Sequence, residues 1–358
     1  MILSFYSTWP TAVQIIMFVL SVALGVFALV KFSDIFVSAA SSIAKKLHIP
    51  PMIIGLTVVA IGTSLPELAV SMSDSIDVLI NGGNANVAIG NVVGSNICNV
   101  LLVLGASVIF TTVIVPKSSL KKELPILLFV SALLVLFGCV FNYKGDYAIL
   151  RWEGLIFVLG AIAYITYLVI DAKRNPEKEE MVMDSEGNMV VKDDGIKDMN
   201  IWIALLLVLI GGIGIAVGGE LVVFGAKNFA LKCSDLAGLD HDLAESLVGL
   251  TIVAVGTSLP ELVTSIVAAR KGQNDIALGN VIGSNIFNIL FVLGLSAVIC
   301  PLTTGSQIIV DLVVMLAVQI LLFVLSFRGK LGRKIGITFI LLYVIYVAYL
   351  IMRTLEVF

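Results

Sequence analysis

The sequence predicts an all-α polytopic membrane protein with ten transmembrane helices, arranged as two inverted five-helix repeats. Three observations predict this fold. Of the 358 residues, 59% are hydrophobic and only 13% are charged, and the mean hydropathy is +1.08. Soluble proteins carry about a quarter charged residues, so this composition excludes most soluble enzymes and nucleic-acid-binding proteins. Apolar runs of spanning length recur along the chain, and its second half repeats motifs of the first.

Each spanning helix requires about 20 mostly apolar residues. Five such runs precede a polar stretch and five follow it. They lie near residues 12–31, 50–76, 85–112, 124–141, 153–171, 201–226, 243–269, 275–299, 306–327 and 335–352. The first run has no basic segment before it and no small-residue cleavage site after it, so we interpret it as a retained helix. The predicted units are a first repeat at 1–171, a linker at 172–200 and a second repeat at 201–358.

The linker at 172–200 carries 13 of the 47 charged residues of the chain. This dense charge and low apolar content are typical of a flexible, solvated connector. Asp184, Glu186 and Asp193 lack the twelve-residue spacing of an EF-hand loop, so a calcium sensor of that type is not expected.

The distribution of Lys and Arg predicts the orientation in the membrane. With the N-terminus outside, 17 basic residues lie in cytoplasmic segments and five in outer segments. We therefore expect both termini outside, the linker at 172–200 in the cytoplasm, and a location in the plasma or inner membrane.

Two segments of the first half recur in the second. Residues 55–71 (GLTVVAIGTSLPELAVS) match residues 249–265 at 13 of 17 positions, and residues 88–105 (AIGNVVGSNICNVLLVLG) match residues 277–294 at 13 of 18. Because each half has an odd number of helices, the second copy enters the membrane in the opposite sense. Inverted repeats of this kind are typical of secondary transporters, whose substrate site lies near the bilayer midplane at the repeat interface.

Glu67 and Glu261 occupy equivalent positions inside apolar runs. A carboxylate at the bilayer centre costs at least a few kcal/mol. No Lys or Arg lies within ten residues of Glu67, and the nearest to Glu261 is Arg270. Either the two carboxyl groups are protonated or they share a cation.

The neighbouring residues favour a cation. Pro66 and Pro260 have no N–H and crowd the carbonyls of Gly62 and Gly256, so each helix should kink and free backbone carbonyls. The same turns carry the hydroxyl residues Thr63, Ser64, Thr257 and Ser258. An all-oxygen set with no nitrogen or sulfur donor is typical of a site for Ca²⁺ or Na⁺ and not for zinc or copper.

The second repeated segment, GNxxGSNxxN, opens the third and eighth helices. Its glycines allow close helix approach; they are Gly90, Gly94, Gly279 and Gly283. A four-residue spacing puts polar side chains on one helix face, namely Asn91, Ser95 and Asn99 with their equivalents Asn280, Ser284 and Asn288. Hydrogen bonding between helices is the alternative role, open mainly for Asn91, Asn96, Asn280 and Asn285.

The paired GTSLPE and GNxxGSNxxN segments resemble the alpha-repeats of the calcium/cation antiporter superfamily, and the chain is similar in length and layout to its prokaryotic sodium/calcium exchangers. The resemblance covers all ten spans and implies an antiporter that extrudes Ca²⁺ against inward Na⁺ flow. It also implies that the glutamates are shared by both ions, that hydroxyls and upstream carbonyls add ligands, that a serine binds Na⁺, and that an asparagine lines the centre. The implied residues are Glu67, Glu261, Thr63, Thr257, Ser64, Ser258, Ala60, Ala254, Ser95, Ser284, Asn99 and Asn288.

The sequence departs from some relatives at Asn288, where potassium-dependent and certain archaeal members resemble one another in carrying Asp; this favours potassium independence. The linker is too short for the calcium-sensing domains of animal exchangers. We expect no cofactor beyond the transported ions, no obligate protein partner and no nucleic-acid binding. The helices at 12–43 and 201–232 lack the TSLPE break, and the resemblance implies that they slide together against the ion-binding segments.

Two other functions remain open from the sequence, and a third is not expected. In Ca²⁺/H⁺ exchange, protonation of Glu67 and Glu261 would replace Na⁺ binding; the additional hydroxyls favour Na⁺, since protonation requires no extra oxygen ligands. A passive cation channel needs a continuous path, whereas two carboxylates in inverted copies suit alternating access. An enzyme is not expected, because neither His48 nor His241 lies mid-membrane and no protease arrangement is present.

Overall fold

The computed structural model describes residues 10–82, 86–141, 148–176, 181–183, 189–191, 196, 198–237, 254–303 and 306–355. Within these ranges the chain is almost entirely helical. The helices of the first half are α1 (Thr11–Leu47), α2 (Pro51–Ile54), α3 (Ala60–Thr63), α4 (Leu65–Asn81), α5 (Asn86–Cys98), α6 (Gly105–Phe110), α7 (Lys117–Lys121), α8 (Glu123–Leu136) and α9 (Arg151–Arg174). Those of the second half are α10 (Ile201–Ala237), α11 (Ala254–Thr257), α12 (Leu259–Arg270), α13 (Asn274–Phe287), α14 (Gly294–Ile299), α15 (Ser306–Ser326) and α16 (Arg333–Thr354).

π-Helical turns join several of these helices into longer units. They lie at Gly55–Val59, Asn99–Leu104, Phe137–Phe141 and Asn288–Leu293. The turns at Asn99–Leu104 and Asn288–Leu293 occupy equivalent places in the two repeats. Each begins at the last asparagine of its GNxxGSNxxN segment, so the wider helical turn is located beside the residues that the sequence predicts for the site. π-Turns inside α-helices occur frequently at functional sites.

In the described part of the chain, eight helices are long and apolar enough to cross a membrane. A ninth span is possible if the units Pro51–Thr63 and Leu65–Asn81, bent by 47° to one another, cross together. The prediction of an all-helical, multi-pass protein is therefore confirmed. Of the predicted run at 243–269, only the part from residue 254 onward lies within the described residues, in α11 and α12, so the count of ten remains a prediction.

The first helix of each repeat is longer than its apolar run predicts. Both α1 and α10 have 37 residues, which at 1.5 Å per residue gives about 55 Å, well beyond the roughly 30 Å of a bilayer core. They pack tightly on one another. A Cβ on Gly218 would lie 3.1 Å from the Gly25 carbonyl oxygen, and a Cβ on Gly225 would lie 2.5 Å from that of Phe18. The two helices therefore form one closely fitted pair.

Short strands qualify the all-α prediction. Strands β1 (Val113–Ile114) and β6 (Lys330–Leu331) pair antiparallel, as do β2 (Ala148–Ile149) and β5 (Leu302–Thr303). The two pairs are related by the internal repeat. Strands β1 and β5 follow the GNxxGSNxxN helix of their half, and β2 and β6 lie between the last two helices of their half, so each pair joins one strand of either kind. Their pairing across the halves depends on tertiary contacts, which local sequence patterns do not reveal.

The linker at 172–200, for which the sequence predicts a flexible, solvated connector, includes one short strand pair. Its described residues include β3 (Met181–Met183) and β4 (Met189–Val191), which form an antiparallel pair with Met181 opposite Val191. Apolar residues flank the polar segment 184–188 in the sequence, which accounts for the pairing of the two strands.

The centre of the molecule is formed by the GNxxGSNxxN helices. In the spans Val87–Phe110 and Asn274–Ile299, 78% of the most apolar window is buried, more than in any other described span. Gly279 and Gly283 allow the turn at Gly55–Val59 to cross α13 at close range. A Cβ on Gly279 would lie 2.7 Å from the Met52 carbonyl oxygen. For Gly90 and Gly94, the equivalents of Met52, Gly55 and Leu56 are Ser246, Gly249 and Leu250, which lie outside the described residues.

Candidate cation-binding site

Each predicted glutamate follows a break in its helix. The chain turns at Ser64, between α3 and α4, and at Ser258, between α11 and α12. Pro66 and Pro260 occupy the first turn after the break, where the missing proline N–H costs no helical hydrogen bond. The helix break predicted from the prolines is thus present in both repeats, with a bend of 47° in the first. It directs the first turn of α4 and α12, with its carboxylate, into the protein interior.

Both carboxylates are fully buried and are contacted across the repeat boundary. Glu67 and Glu261 each have 0% exposure. The Ser64 hydroxyl donates a hydrogen bond of 3.0 Å to Glu261 Oε1, so the break of one repeat contacts the glutamate of the other. The Ser95 hydroxyl donates to Glu67 Oε1 at 3.3 Å and lies 3.5 Å from Thr257 Oγ1. These contacts bring the two break regions together at one place.

One carboxylate oxygen on each glutamate has no hydrogen-bond partner among the described residues; these are Glu67 Oε2 and Glu261 Oε2. The amide oxygens Asn99 Oδ1 and Asn288 Oδ1 are also buried and unpartnered. A buried acceptor without a partner is costly. Four such acceptors at two pairs of equivalent positions are an arrangement suited to binding a cation.

The two central asparagines are oriented by amides of the opposite repeat. The Asn99 side-chain N–H donates to Asn285 Oδ1 at 3.1 Å, and the Asn288 side-chain N–H donates to Asn96 Oδ1 at 3.3 Å. Asn96 and Asn285 in turn donate to each other's backbone carbonyls at 3.3 and 3.2 Å. This reciprocal network uses the N–H groups of Asn99 and Asn288, which leaves their carbonyl oxygens as acceptors.

Asn91 and Asn280 position the threonines. Thr257 Oγ1 lies 3.5 Å from Asn91 Oδ1, and Thr63 Oγ1 lies 3.1 Å from Asn280 Oδ1. Asn280 also donates to Ser265 Oγ at 2.9 Å. For these asparagines, and for Asn96 and Asn285, the alternative of hydrogen bonding between helices describes what is observed.

The remaining predicted residues are less strongly engaged. The hydroxyls of Ser258 and Ser284 are buried with no hydrogen-bond partner among the described residues. The Ala60 carbonyl accepts a hydrogen bond of 3.0 Å from the Ser64 N–H and a longer one of 3.3 Å from the Thr63 hydroxyl. Ala254 is described only as the first residue of α11.

The site contains oxygen and amide groups but no basic partner. None of the ion pairs between described residues involves Glu67 or Glu261. No cluster of three or more His, Cys, Asp or Glu side chains suited to a metal occurs in the part of the chain that the structure describes. Two carboxylates surrounded by hydroxyl and amide oxygens form a hard-oxygen environment.

Comparison with known proteins agrees with this class of site. The family model described as "Sodium/calcium exchanger protein" matches residues 17–170 and 203–352. The chain belongs to this family of multi-pass membrane transporters and is a cation exchanger.

Individual relatives cover nearly the whole chain. The chain is 37% identical to the putative antiporter CaxA of Alkalimonas amylolytica, over 87% of this chain and 91% of that protein. It is 35% identical to the sodium/calcium exchanger MaX1 of Methanosarcina acetivorans, over 91% and 96%. Among solved structures, the sodium-calcium exchanger NCX_Mj soaked with Na⁺ and Sr²⁺ is similar with a TM-score of 0.74 and 32% identity, over 93% of this chain and 98% of that one.

Proposed function

We propose that this protein exchanges Ca²⁺ for Na⁺ across the membrane by alternating access. The cation site consists of the carboxylates of Glu67 and Glu261 with neighbouring hydroxyl, amide and backbone carbonyl oxygens. The observation that carries the proposal is the set of four buried oxygens without partners, contributed equally by the two repeats.

The charge of the site supports a cation as the substrate. Burying two carboxylates without a counter-charge is unfavourable, and no described basic side chain forms an ion pair with either one. One Ca²⁺ would balance both charges. Ca²⁺ takes six to eight oxygen ligands in flexible geometry, which the carboxylates, amides and hydroxyls are suited to supply. Na⁺ is of similar size and also prefers oxygen ligands, so it competes for the same groups.

Na⁺ is favoured over H⁺ as the counter-ion by the neutral oxygens. A proton needs only the carboxylates, whereas a sodium ion needs further ligands around it. Ser95 lies between Glu67 and Thr257, and the Ser284 hydroxyl has no partner among the described residues. Hydroxyls that can face an ion at equivalent places in both repeats fit Na⁺ sites. The relative MaX1 is a sodium/calcium exchanger, which agrees with this choice.

Alternating access requires part of the protein to move relative to the site. The pair α1 and α10 is suited to this, because the two helices are fitted to each other and have no break. Their contacts with the broken helices include single side chains such as Phe36, which lies over Gly62. We propose that α1 and α10 move together across the site, exposing it first to one side and then to the other.

The orientation follows from the bias of basic residues along the chain. We propose that both termini lie outside and that residues 172–200 lie in the cytoplasm of a cell whose plasma or inner membrane holds the protein.

Calcium flux in proteoliposomes tests the function directly. Purified protein is reconstituted, and ⁴⁵Ca²⁺ uptake is measured with an outward gradient of Na⁺, K⁺ or H⁺. We expect uptake with the Na⁺ gradient only. Uptake driven equally by a pH gradient without Na⁺ would indicate Ca²⁺/H⁺ exchange. Uptake that follows the calcium gradient alone, with no counter-ion, would indicate a channel.

A further inference from the structure

The two repeats can be aligned outside their conserved motifs. Lys271 lies ten residues after Glu261 and Asp77 lies ten residues after Glu67, so they are equivalent. Asp34 of α1 and Glu220 of α10 are equivalent as well. Packing confirms this register. Phe36, two positions after Asp34, lies against Gly211, which is nine positions before Glu220. Val222, two positions after Glu220, lies against Gly25, which is nine positions before Asp34.

At one of these two equivalent places, a lysine ties the core to α1. Lys271, directly after α12, places its ammonium 2.7 Å from Asp34 Oδ1, 3.0 Å from the Asp34 carbonyl oxygen and 2.6 Å from Ser38 Oγ. Ser38 Oγ itself donates to the Asp34 carbonyl at 2.8 Å. A lysine ammonium has three N–H donors. All three therefore have acceptors within one turn of α1.

The equivalent place in the other repeat has no basic residue. Asp77 of α4 aligns with Lys271, and on α10 Glu220 and Phe224 occupy the places of Asp34 and Ser38. Glu220 and Asp77 are both exposed. If α10 were to pack on α4 as α1 packs on α12, two negative charges would meet at the place equivalent to the ion pair of Asp34 with Lys271.

In the structure, α1 packs on α12 more closely than α10 packs on α4. Ser33 of α1 and Thr264 of α12 are fully buried, with their hydroxyl oxygens 3.0 Å apart. Val267, on the same side of α12, is half-buried among residues that include Phe36. Its counterpart on α4, Ser73, is exposed. The structure therefore shows the state in which α1 covers α12 and α10 leaves α4 uncovered.

We propose that Lys271 is a latch that favours this α1-closed state of the carrier. The proposal rests on the alternating access proposed above, in which the opposite state would close α10 over α4. The α1-closed state gains the contacts of Lys271 with Asp34 and Ser38. The opposite state loses them and brings Glu220 toward Asp77. A ligand-independent energy difference between two states sets their populations, so the charges of this chain bias its resting state.

Cysteine labelling in nanodiscs measures the two states without transport. In a background lacking the four native cysteines, Val267→Cys reports exposure of α12 and Ser73→Cys reports exposure of α4. Both reporters react with a membrane-impermeant maleimide at fixed Na⁺ concentration. We expect Lys271→Gln to raise the labelling rate of the Val267→Cys reporter by about two- to five-fold, the range for a partly exposed ion pair, and to lower that of the Ser73→Cys reporter.

Further variants separate a latch from a general structural role. Asp77→Lys should lower labelling of the Ser73→Cys reporter, because it supplies the missing partner for Glu220. The charge exchange Asp34→Lys with Lys271→Asp should restore the original rates. Lys46→Gln is the matched control: Lys46 pairs with Asp198 at 2.8 Å, which ties α1 to the segment before α10 and not to the core.

The outcomes distinguish the latch from the exchange function. Unchanged labelling in Lys271→Gln, or an equal change in Lys46→Gln, overturns the latch even if Na⁺/Ca²⁺ exchange is intact. Failure of the charge exchange to restore the rates also overturns it. Labelling changes as expected, in protein that shows no Na⁺-driven Ca²⁺ uptake, would support the latch and reject the proposed counter-ion.

Discussion

Replacing either central glutamate by glutamine is the sharpest perturbation of the proposed site. The change keeps the shape of the side chain but removes its charge and converts one oxygen into an NH₂ group. In Glu261, Oε1 accepts the Ser64 hydroxyl and Oε2 has no partner. In Glu67, Oε1 accepts from Ser95 and Oε2 is again unpartnered. In a glutamine at either position, the oxygen keeps the bond from serine, so the NH₂ group replaces Oε2, the oxygen that is free to bind a cation.

The magnitude follows from the lost charged contact. An interaction with a charged group contributes about 1.5–3 kcal/mol, which corresponds to roughly 10- to 150-fold weaker Ca²⁺ binding. The buried NH₂ without an acceptor costs about 1–3 kcal/mol of stability in addition. We expect Ca²⁺ uptake by Glu67→Gln and Glu261→Gln to fall to about a fifth of wild type or less at calcium concentrations near the wild-type half-saturation point.

Sodium-driven ⁴⁵Ca²⁺ uptake and calorimetric titration with Ca²⁺ measure this effect, and thermal unfolding verifies the fold. Glu123→Gln is a matched control. Glu123 is a carboxylate with 4% exposure and an unpartnered Oε2, but it lies in α8 outside the site. It should lose some stability and keep its uptake. Wild-type uptake by either site variant, or an equal loss in Glu123→Gln, would refute a shared carboxylate site.

Three further outcomes test other parts of the description. If Na⁺ and Ca²⁺ exchange with unequal charge, the membrane potential contributes about 2.3 kcal/mol per 100 mV for each net charge moved. Ca²⁺ uptake into Na⁺-loaded vesicles should then rise when the interior is positive, because net positive charge leaves. Voltage-independent uptake would argue for electroneutral exchange. Gly283→Ala places a Cβ 2.7 Å from the Leu56 backbone, so thermal unfolding should show a loss of stability of about 1–3 kcal/mol. In the control Gly160→Ala, the Cβ meets the flexible end of a side chain at 3.1 Å, and the loss of stability should be smaller. Equal losses would contradict the close crossing of the helices. A disulfide between Ser33→Cys and Thr264→Cys, whose native hydroxyl oxygens are 3.0 Å apart, should stop transport until it is reduced; complete cross-linking with undiminished transport would refute the motion of α1.

The class of protein was determined by the sequence alone, which also predicted the residues of the site. Hydrophobicity over about 20 residues is a local property, so the apolar runs predicted a multi-pass membrane protein before any contact was known. The duplicated segments predicted an inverted repeat, and the buried charge of Glu67 and Glu261 pointed to a cation. Proline chemistry predicted the two helix breaks, because its effect is confined to one turn.

The tertiary structure alone decided which oxygens have partners and which do not. Ser64 donates to the glutamate of the opposite repeat, and Asn96 and Asn285 hold the amides of Asn288 and Asn99. These bonds join residues more than 180 positions apart, so no local pattern specifies them. The same holds for the strand pairs between the halves. It also holds for Lys271. This residue lies outside the repeated motifs, so the sequence did not predict its contact with Asp34 of α1. Local periodicity fixes which residues are buried, but only the assembled fold determines which of them meet.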